Sequence, residues 1–284
     1  SSCLAQTAPA KVPSQPSSQS GPTAIPNPEK NFFANILRDQ REIWTSPFHL
    51  NRGDAKWAFP LTLSAAALFA TDRHTSGELV EGGDNLRRLR ISKKISRLGS
   101  LYTTGGIAAG FYLVGRTRND ARARETGVLA GEALINSTIV VQALKAVSQR
   151  QRPSVDNSSG EFFEGGRSFP SGHAVNAWSV ATVIAQEYGQ QRPLVRVGAY
   201  GLATAVSLSR YTGRNHFLSD VLVGSAIGYG IGRYVYGKHH NPALDALNEK
   251  HNSKDLMSSK LFPQVAPLYH PRARVYGAML TWSF

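Results

Sequence analysis

Two basic residues near the middle of the chain, Lys145 and Arg152, have the spacing of a charged helix end. Seven residues make about two turns of an α-helix, so both cations can lie on one face near its C-terminus. Pro153 follows directly and restricts the residue before it, which favours the end of a helix there. Taken alone, the pair is better explained as two solvated cations in a last helical turn.

A second segment, Pro170-Ser171-Gly172-His173, stands directly before an apolar run with helical periodicity. Serine is a good N-cap, glycine lets a ligand approach the backbone, and free N–H groups at a helix start bind phosphate oxygens. A histidine beside such an anion has an ordinary pKa near neutrality and can donate or accept a proton. By itself, the segment is equally compatible with a capped helix that contains an incidental histidine.

The third segment, residues 209–220, carries Arg210, His216 and Asp220. Arginine offers a planar set of donors for phosphate oxygens. A histidine and an aspartate four residues apart meet on a helix, and the aspartate can fix one ring nitrogen while the other acts as nucleophile. On its own, the segment is somewhat better explained as a surface His/Asp pair at a helix start.

Together the three segments supply what phosphoryl transfer needs. They provide three cations, an anion-binding helix start, one candidate nucleophile and one candidate acid, and catalysis of this reaction depends mostly on positioning and charge stabilisation. Lysine and two arginines can carry the charge that a metal would otherwise neutralise, so we expect neither a metal nor a cofactor. The sequence contains no carboxylate cluster suited to a catalytic metal pair.

The order Lys-x6-Arg-Pro, Pro-Ser-Gly-His and Ser-Arg-x5-His-x3-Asp resembles the three-part signature of the type 2 phosphatidic acid phosphatase (PAP2) superfamily. That superfamily includes bacterial acid phosphatases, lipid phosphate phosphatases and vanadium-dependent haloperoxidases. The resemblance covers about 145–220 closely and implies that His216 attacks phosphorus, that Asp220 orients it, and that His173 protonates the leaving alcohol and then activates water. It further implies that the phosphoryl oxygens are held by a set of five residues: Lys145, Arg152, Ser171, Gly172 and Arg210.

The resemblance leaves the activity and the substrate open. We expect a metal-independent hydrolase of phosphate monoesters, acting on a lipid phosphate such as phosphatidic acid or an isoprenoid pyrophosphate through a phosphohistidine intermediate. A lipid A phosphate and small soluble monoesters remain candidate substrates. Vanadate would bind the same pocket as an inhibitor, or as the cofactor if the protein is a haloperoxidase. A non-catalytic envelope protein that retains the fold is a further alternative.

The composition favours anionic partners without choosing among them. The formal net charge is +13 over 284 residues, and six of the positive charges fall within 86–97. Such a cluster can face an anionic membrane surface or guide an anionic substrate, although a solvated helix face explains it more simply. No zinc-finger spacing, stacking motif or reader helix is present, so we do not expect nucleic-acid binding.

The hydrophobic pattern predicts an all-α protein. The resemblance implies, in addition, a compact helical bundle of the PAP2/haloperoxidase type. We assign residues 1–30 to a disordered tail rich in Pro, Ser and Gln, 31–240 to the helical phosphatase domain, and 241–284 to a polar extension that ends in a short strand. Helices are expected near 121–151, 172–188, 193–208 and 216–236, and loops over 72–90 and 154–169. Gly224, Gly228 and Gly232 lie on one helix face that can approach a neighbour closely.

The N-terminal segment and the hydrophobic runs bear on localisation. Small residues around Cys3, followed by a Gln/Thr/Pro-rich stretch, are typical of the end of a secretory signal, so we expect export to the periplasm or cell envelope. The apolar runs are mostly shorter than a membrane-spanning helix requires. The sequence therefore favours a soluble or peripheral membrane domain over an embedded one, and oligomeric state is left open.

Overall fold

A computed structural model of the chain describes residues 28–49, 53–81, 86–155, 160–245, 264–270 and 275–281. In chain order its helices are α1 (Phe32–Thr45), α2 (Ala55–Glu81), α3 (Leu86–Ser96), α4 (Leu101–Arg118), α5 (Ala121–Ser148), α6 (Gly172–Tyr188), α7 (Pro193–Thr212) and α8 (Leu218–His239). Short 3-10 turns occupy Pro28–Asn31, Ser46–His49 and Arg97–Gly99. The predicted all-α bundle is confirmed.

Helix α6 lies at the centre of the bundle and packs against α5, α7 and α8. Helices α1 and α4 pack on α5, α3 packs on α7, and α2 packs on α8. The main core is contributed by α4, α5, α6 and α8, and its residues are small or β-branched for the most part: Ala108, Leu129, Ala130, Ala133, Leu134, Val140, Val180, Val183, Ile231 and Val235. Small side chains at these positions let the helices approach closely and bury a continuous apolar interior.

The glycine face of α8 makes a particularly close contact with α6. A Cβ atom on Gly224, Gly228 or Gly232 would lie under 3.0 Å from a backbone carbonyl oxygen of Ser171, Val175 or Ser179. All three carbonyls belong to α6 or to its N-cap, so only glycine allows the two helices to lie this close. This packing fixes the start of α6 against the start of α8.

Local signals explain most of the helix ends. Asp120 caps α5, its side chain accepting from Ala123 N at 3.0 Å, and Ser100 caps α4 in the same way through Thr103 N. Gln149 adopts a left-handed conformation (φ 45°) and ends α5 at Ser148. The expected continuation of this helix to residue 151 is therefore wrong by three residues.

The segment predicted as a loop over 72–90 is also wrong in part. Helix α2 continues to Glu81, and α3 begins at Leu86. The polar residues that suggested a loop include Asp72 and Ser76, which are buried with polar partners on the inner face of α2. At Asp72 and Ser76, polarity therefore reflects an internal hydrogen-bond network and not exposure to solvent. The loop expected over 154–169 contains no helix or strand within its described residues, 154–155 and 160–169.

A two-stranded antiparallel hairpin ends the chain. Strand β1 (Gln264–His270) pairs with β2 (Val275–Thr281), with Gln264 opposite Thr281 and His270 opposite Val275. The strand expected near the C-terminus corresponds to β2. Its partner was not expected, because Pro267 within β1 is a residue that argues against a strand. The Pro-rich tail assigned to 1–30 falls, up to residue 27, outside the described residues.

Candidate active site

Three stretches that are distant in sequence meet at one end of the bundle. They are the C-terminal turn of α5, the start of α6, and the connection from α7 to α8. Ser171 N donates to Asp220 O at 3.0 Å, and His216 N donates to Arg210 O at 3.3 Å. These backbone bonds fix the start of α6, the end of α7 and the start of α8 relative to one another.

Lys145 projects from the last turn of α5 toward the segment that leads into α6. Its Nζ donates to Arg167 O at 2.6 Å and to Ser168 O at 3.4 Å, and the side chain is largely buried. Burial, followed by the positive charge of Arg152, lowers the pKa of Lys145 to about 8. The ammonium group is therefore poorly compensated and well suited to an anionic partner.

Contrary to the prediction from sequence, Arg152 does not lie in the last turn of a helix. Because α5 ends at Ser148, Arg152 lies beyond the helix and does not share a helical face with Lys145. Its side chain is exposed, and yet its charge lowers the pKa of three site residues: Lys145, His173 and Arg210. Arg152 therefore contributes to the positive field of the site from its solvent side.

Ser171 and Gly172 form the start of α6 as predicted. Ser171 is the N-cap residue and is fully buried, but its hydroxyl makes no capping hydrogen bond. Within the described part of the chain, Ser171 Oγ has no hydrogen-bond partner. A Cβ on Gly172 would lie 3.5 Å from Val141 Cγ1 and 3.9 Å from Lys145 Cε, which places this helix start beside the lysine. An unpaired buried hydroxyl next to a cation is a fitting donor for a bound phosphate oxygen.

Arg210 lies in the last turn of α7 and is largely buried. Its Nη1 donates to Ser96 Oγ, and its Nε has no partner among the described residues. Burial, followed by the charge of Arg152, lowers the pKa of Arg210 to about 10. The guanidinium group is thus held at one nitrogen while another donor remains available to a ligand.

His216 and Asp220 meet, but not on one helix as predicted. His216 precedes α8, which begins at Leu218, and the pair is brought together across the helix start. His216 Nδ1 lies 3.6 Å from Asp220 Oδ2 and 3.4 Å from Ser168 Oγ. Burial lowers the pKa of His216 to about 4, although Asp220 acts in the opposite direction. The imidazole is therefore neutral near pH 7, as a nucleophile must be.

The carboxylate of Asp220 is completely buried and accepts several hydrogen bonds. Arg150 Nη1 donates to Oδ1 at 2.7 Å, and Phe217 N donates to Oδ2 at 3.0 Å. Ser168 Oγ also donates to Oδ2. Burial acts to raise the pKa of Asp220, but hydrogen bonds from His216 and Ser168 and the charge of Arg150 outweigh it and lower the pKa below its ordinary value. The residue is a fixed anion behind the imidazole.

His173 lies one residue inside α6 and is half-buried. Burial, followed by the charges of nearby basic groups with Arg210 first among them, lowers its pKa to about 4. Its neutral form can accept a proton. Because a bound anion would offset the neighbouring positive charges, the same residue would hold a proton more readily in a complex.

Four residues of the site were not identified from sequence: Ser96, Ser168, Asp72 and Arg150. Ser168 lies two residues before the segment that begins at Pro170, and this closeness is the signal that could have pointed to it. Arg150 lies between Lys145 and Arg152, where one more arginine in a basic stretch carries no distinguishing signal. Asp72 and Ser96 come from other helices, and nothing in the sequence links them to the motifs.

One group of acidic and histidine side chains in the described residues could in principle hold a metal ion. Glu125, Glu187 and His240 place their ligand atoms within 4.8 Å of one another. Glu125 lies on α5 twenty residues before Lys145, roughly 30 Å along the helix. Burial acts to lower the pKa of His240, but bonds to Glu125, Glu187 and Asp245 raise it to about 10. The group therefore supplies its own cation and lies away from the site.

Comparison with known proteins agrees with the resemblance to the PAP2 superfamily that the sequence motifs indicated. The model of the PAP2 superfamily matches residues 126–242. The lipid A 1-phosphatase of Porphyromonas gingivalis is 39% identical over 69 residues, which is 24% of this chain and 16% of that protein. The match thus spans about one sixth of the curated relative's length.

Two solved structures match parts of the chain. The first is the transmembrane PAP2-type phosphatidylglycerolphosphate phosphatase of Bacillus subtilis, at 22% identity and a TM-score of 0.47 over 73% of this chain and 93% of that one. The second is LpxE of Aquifex aeolicus, at 20% identity and a TM-score of 0.45 over 58% of this chain and 93% of that one.

Proposed function

Because the model of the PAP2 superfamily matches residues 126–242, we propose that this protein is a metal-independent phosphatase that hydrolyses phosphate monoesters through a phosphohistidine intermediate. One observation carries the proposal. A neutral buried histidine, backed by an ionised aspartate, adjoins buried donors on Ser171 and Arg210 that have no partner in the described part of the chain. Such an arrangement is suited to a tetrahedral anion.

Phosphate oxygens would be bound by five groups that converge from three helices and a loop. Lys145 and Arg210 supply buried positive charge, and Arg152 supplies charge from the solvent side. The hydroxyl of Ser171 and the free amide of Gly172 at the start of α6 supply neutral donors. Positive charge of this amount stabilises the extra negative charge on the transferring phosphoryl group.

His216 would act as the nucleophile. Its Nδ1 faces Asp220 and Ser168, so Nε2 is the nitrogen that attacks phosphorus as the ester P–O bond breaks. Asp220 then stabilises the positive charge that develops on the phosphorylated ring. Asp220 is a positioning and charge-stabilising residue that does not need to change its own protonation state.

His173 would transfer the protons. It gives a proton to the leaving alkoxide, which departs as the alcohol, and then takes a proton from the water that attacks the phosphoryl group. The P–N bond breaks, inorganic phosphate leaves, and both histidines return to their starting states. A bound phosphate would offset the neighbouring positive charges and raise the pKa of His173, so that this residue would carry a proton when the alkoxide forms.

We propose that no metal ion takes part, because the protein's own cations fill the role that Mg²⁺ has in other phosphoryl transfer enzymes. Two positive side chains and a helix start already face the binding position. A divalent cation added to this set would meet like charge at every approach except the buried Asp220, which is occupied by Arg150 and Ser168.

A lipid phosphate is the substrate class we propose. The partial relative from P. gingivalis is a lipid A 1-phosphatase. Outer helices of this chain carry large exposed apolar side chains, among them Trp57, Phe59 and Leu63 on α2 and Leu194 and Val197 on α7. Exposed apolar surface of this kind marks contact with lipid or protein.

A groove of about 490 Å³ between α3 and α7 suits the apolar part of such a lipid. Ile91, Ile95 and Leu208 line it together with Arg87 and Ser209, and Ser209 directly precedes Arg210 in the chain. An acyl or prenyl chain would lie along the isoleucines while the phosphate reaches the site. Phosphatidic acid and an isoprenoid pyrophosphate both have this form.

We propose that the protein is associated with the membrane of the cell envelope. Among the described residues one helix, α5, is long and apolar enough to cross a membrane, and 61% of its apolar 18-residue window is buried inside the bundle. The exposed apolar side chains of α2 and α7, together with the basic face of α3, favour contact with an anionic membrane surface.

Phosphate release tests the proposal. Phosphatidic acid in mixed micelles, an isoprenoid pyrophosphate and a soluble phosphomonoester are compared with EDTA present, for the unchanged chain, His216→Gln and the control His49→Gln. His49 is an exposed histidine at the end of the first helical region, so its loss leaves the site intact. We expect EDTA-resistant release, faster from the lipids, that His216→Gln abolishes and His49→Gln retains.

Trapping of the intermediate completes the test. Brief reaction with labelled substrate and quenching in alkali should retain a phosphoryl group on the chain, since phosphohistidine survives base and is lost in acid. Full activity of His216→Gln would overturn the mechanism. Halide oxidation with vanadate and peroxide, in place of phosphate release, would identify a haloperoxidase, and the absence of both would identify a non-catalytic protein.

A further inference from the structure

The buried side chain of Arg150 makes four hydrogen bonds behind the site. Its Nη1 donates to Asp220 Oδ1 at 2.7 Å, its Nη2 donates to Asp72 Oδ2 at 2.8 Å, and its Nε donates to Gly160 O at 2.9 Å. Nη1 also donates to Ser219 Oγ at 2.8 Å. Only 3% of the residue is exposed. The arginine therefore lies behind the site, directed away from the phosphate position and toward Asp220.

Three aromatic rings enclose the guanidinium group. Its Cζ lies 4.2 Å from the ring centre of Phe217, 5.0 Å from that of Phe162 and 5.1 Å from that of Phe69. A planar guanidinium can stack on rings and still present several in-plane donors, which an ammonium group cannot do. The enclosure fixes the orientation of Arg150 and excludes water from its bond to Asp220.

Asp72 holds the other side of this network. Its Oδ1 accepts from Ser219 N at 3.2 Å, and its Oδ2 accepts from Ser219 Oγ and from Arg150. Ser219 and Asp220 are neighbours in the first turn of α8. Asp72 thus connects the middle of α2 both to that turn and to the arginine.

The charges of the network matter for the chemistry at His216. Two buried carboxylates share one guanidinium, which leaves a single net negative charge beside the imidazole. When phosphorus is attached to Nε2 and Nδ1 carries a proton, the ring is positive, and the network with the ring becomes neutral. Without Asp72, Arg150 would offset the whole charge of Asp220 and leave none for the ring.

We propose that Arg150 and Asp72 are positioning residues for the nucleophile. Arg150 holds Asp220 Oδ1, so that Oδ2 faces His216 Nδ1, and Asp72 shares the charge of Arg150, so that Asp220 retains charge for the phosphorylated ring. The inference rests on the proposed phosphatase function, and it assigns to these two residues a role in turnover, with none in substrate binding.

A double-mutant cycle tests the action of Arg150 through Asp220. Arg150→Lys keeps the charge but loses the planar set of donors, and we expect kcat to fall about 30-fold with KM changed less than about threefold. In an Asp220→Asn background the same substitution should lower kcat by less than about twofold, because the group it acts through is already gone. Equal losses in both backgrounds would overturn the proposal.

Asp72→Asn provides a second variant that keeps the shape of the network. We expect kcat to fall about tenfold, KM to stay, and less phosphorylated chain to accumulate in the trapping assay, because the positive ring is less well stabilised. The matched control is Arg122→Lys. Arg122 pairs with the fully buried Glu187 and lies over Tyr188 at the opposite end of α5, so it reports the loss of a buried ion pair away from the site.

Thermal unfolding and circular dichroism distinguish positioning from folding. Arg150→Lys, Asp72→Asn and the control Arg122→Lys should all lose some stability, but of these three only Arg150→Lys and Asp72→Asn should lose turnover per folded molecule. If Arg122→Lys lowers kcat as much as Arg150→Lys does, the effect is structural and the proposal is wrong.

A measurement that does not use activity separates this inference from the proposed function. Proton–nitrogen correlation spectra of the histidine rings, with His216 assigned by comparison with His216→Gln, report which ring nitrogen carries the proton. We expect Nδ1 to be protonated in the unchanged chain and the His216 signals to shift or broaden in Arg150→Lys and Asp72→Asn. An unchanged chain without phosphatase activity would refute the proposed function. Unchanged His216 signals in both variants would refute the role inferred for Arg150 and Asp72.

Discussion

Lys145 Nζ and the carbonyl oxygen of Arg167 are 2.6 Å apart, which joins the last turn of α5 to the segment that leads into α6. The bond directs the ammonium group to the start of α6, where the phosphate would bind. Carbonyl oxygens carry no full charge, so they orient the lysine without neutralising it. The group therefore stays available to an anion, and burial keeps its pKa low.

We predict that kcat/KM falls as the pH rises through about 8, the pKa of Lys145. Above this pH the side chain loses its proton in the free enzyme and its attraction for phosphate with it. The measurement is a pH profile of kcat/KM. Lys145→Arg keeps its charge throughout this range, so its profile should lack the alkaline decline. A decline that persists in that variant would assign it to another group.

We predict that binding of an anion raises the pKa of His173 from its value of about 4 in the free protein. The anion offsets the positive charges of Lys145, Arg152 and Arg210, so the imidazolium form becomes more favourable. Sulfate, which does not titrate near pH 6, should bind with uptake of a proton, measurable by calorimetry in buffers of different ionisation enthalpy. In His173→Asn the uptake should disappear while sulfate still binds.

We predict opposite behaviour for two serines that flank Pro170. Ser168 Oγ donates to Asp220, so Ser168→Ala should lower kcat about tenfold and destabilise the fold by about 1 kcal/mol. Ser171 Oγ has no partner in the described residues, so Ser171→Ala should leave stability unchanged and raise KM several-fold. Thermal unfolding and steady-state kinetics on both variants check this. A loss of stability in Ser171→Ala equal to that in Ser168→Ala would contradict it.

We predict that Ser96→Ala raises KM about fivefold, because Arg210 Nη1 loses the acceptor that orients it. Ser100→Ala is the natural comparison. Ser100 caps α4 through Thr103 N, so its loss should lower stability by about 1 kcal/mol without a change in KM. The prediction fails if the two variants show the same kinetics.

We predict that two glycines of α8 respond in opposite directions to alanine. A Cβ on Gly228 would collide with Val175 O and Trp178 Cβ, so Gly228→Ala should destabilise the protein by about 1–3 kcal/mol. A Cβ on Gly230 would meet nothing within 4 Å, so Gly230→Ala should stabilise the helix by about 0.5–1 kcal/mol. Chemical denaturation checks this prediction: the midpoint should be lower than that of the unchanged chain in Gly228→Ala and higher in Gly230→Ala.

The sequence predicted the helical bundle and the motif residues that the fold brings together, because both depend on local patterns. Helix α6 was expected over 172–188 and is found there, since serine at its start and the following apolar period are local signals. The partners of the motif residues could not be predicted in this way. Ser96 lies 114 residues from Arg210, and Asp72 lies 78 residues from Arg150.

Local conformation accounts for the other differences. The end of α5 is set by the left-handed Gln149, which no residue-type preference singles out before Arg152 and Pro153. The meeting of His216 and Asp220 depends on a helix start and not on a helical face. In both cases the sequence indicated which residues share the site, but the backbone that connects them is not the continuous helix that was predicted.

Helices α6 and α8 begin side by side, but their N-termini are capped differently. In α8 the carboxylate of Asp220 accepts from the backbone N–H of the N-cap residue Phe217. In α6 the side chain of the N-cap residue Ser171 makes no capping hydrogen bond. A phosphate on the first amides of α6 would serve as that missing cap. Ligand binding and the order of this first turn are then thermodynamically linked, so occupancy should slow hydrogen exchange at the amides of Gly172 and His173 and raise the midpoint of unfolding.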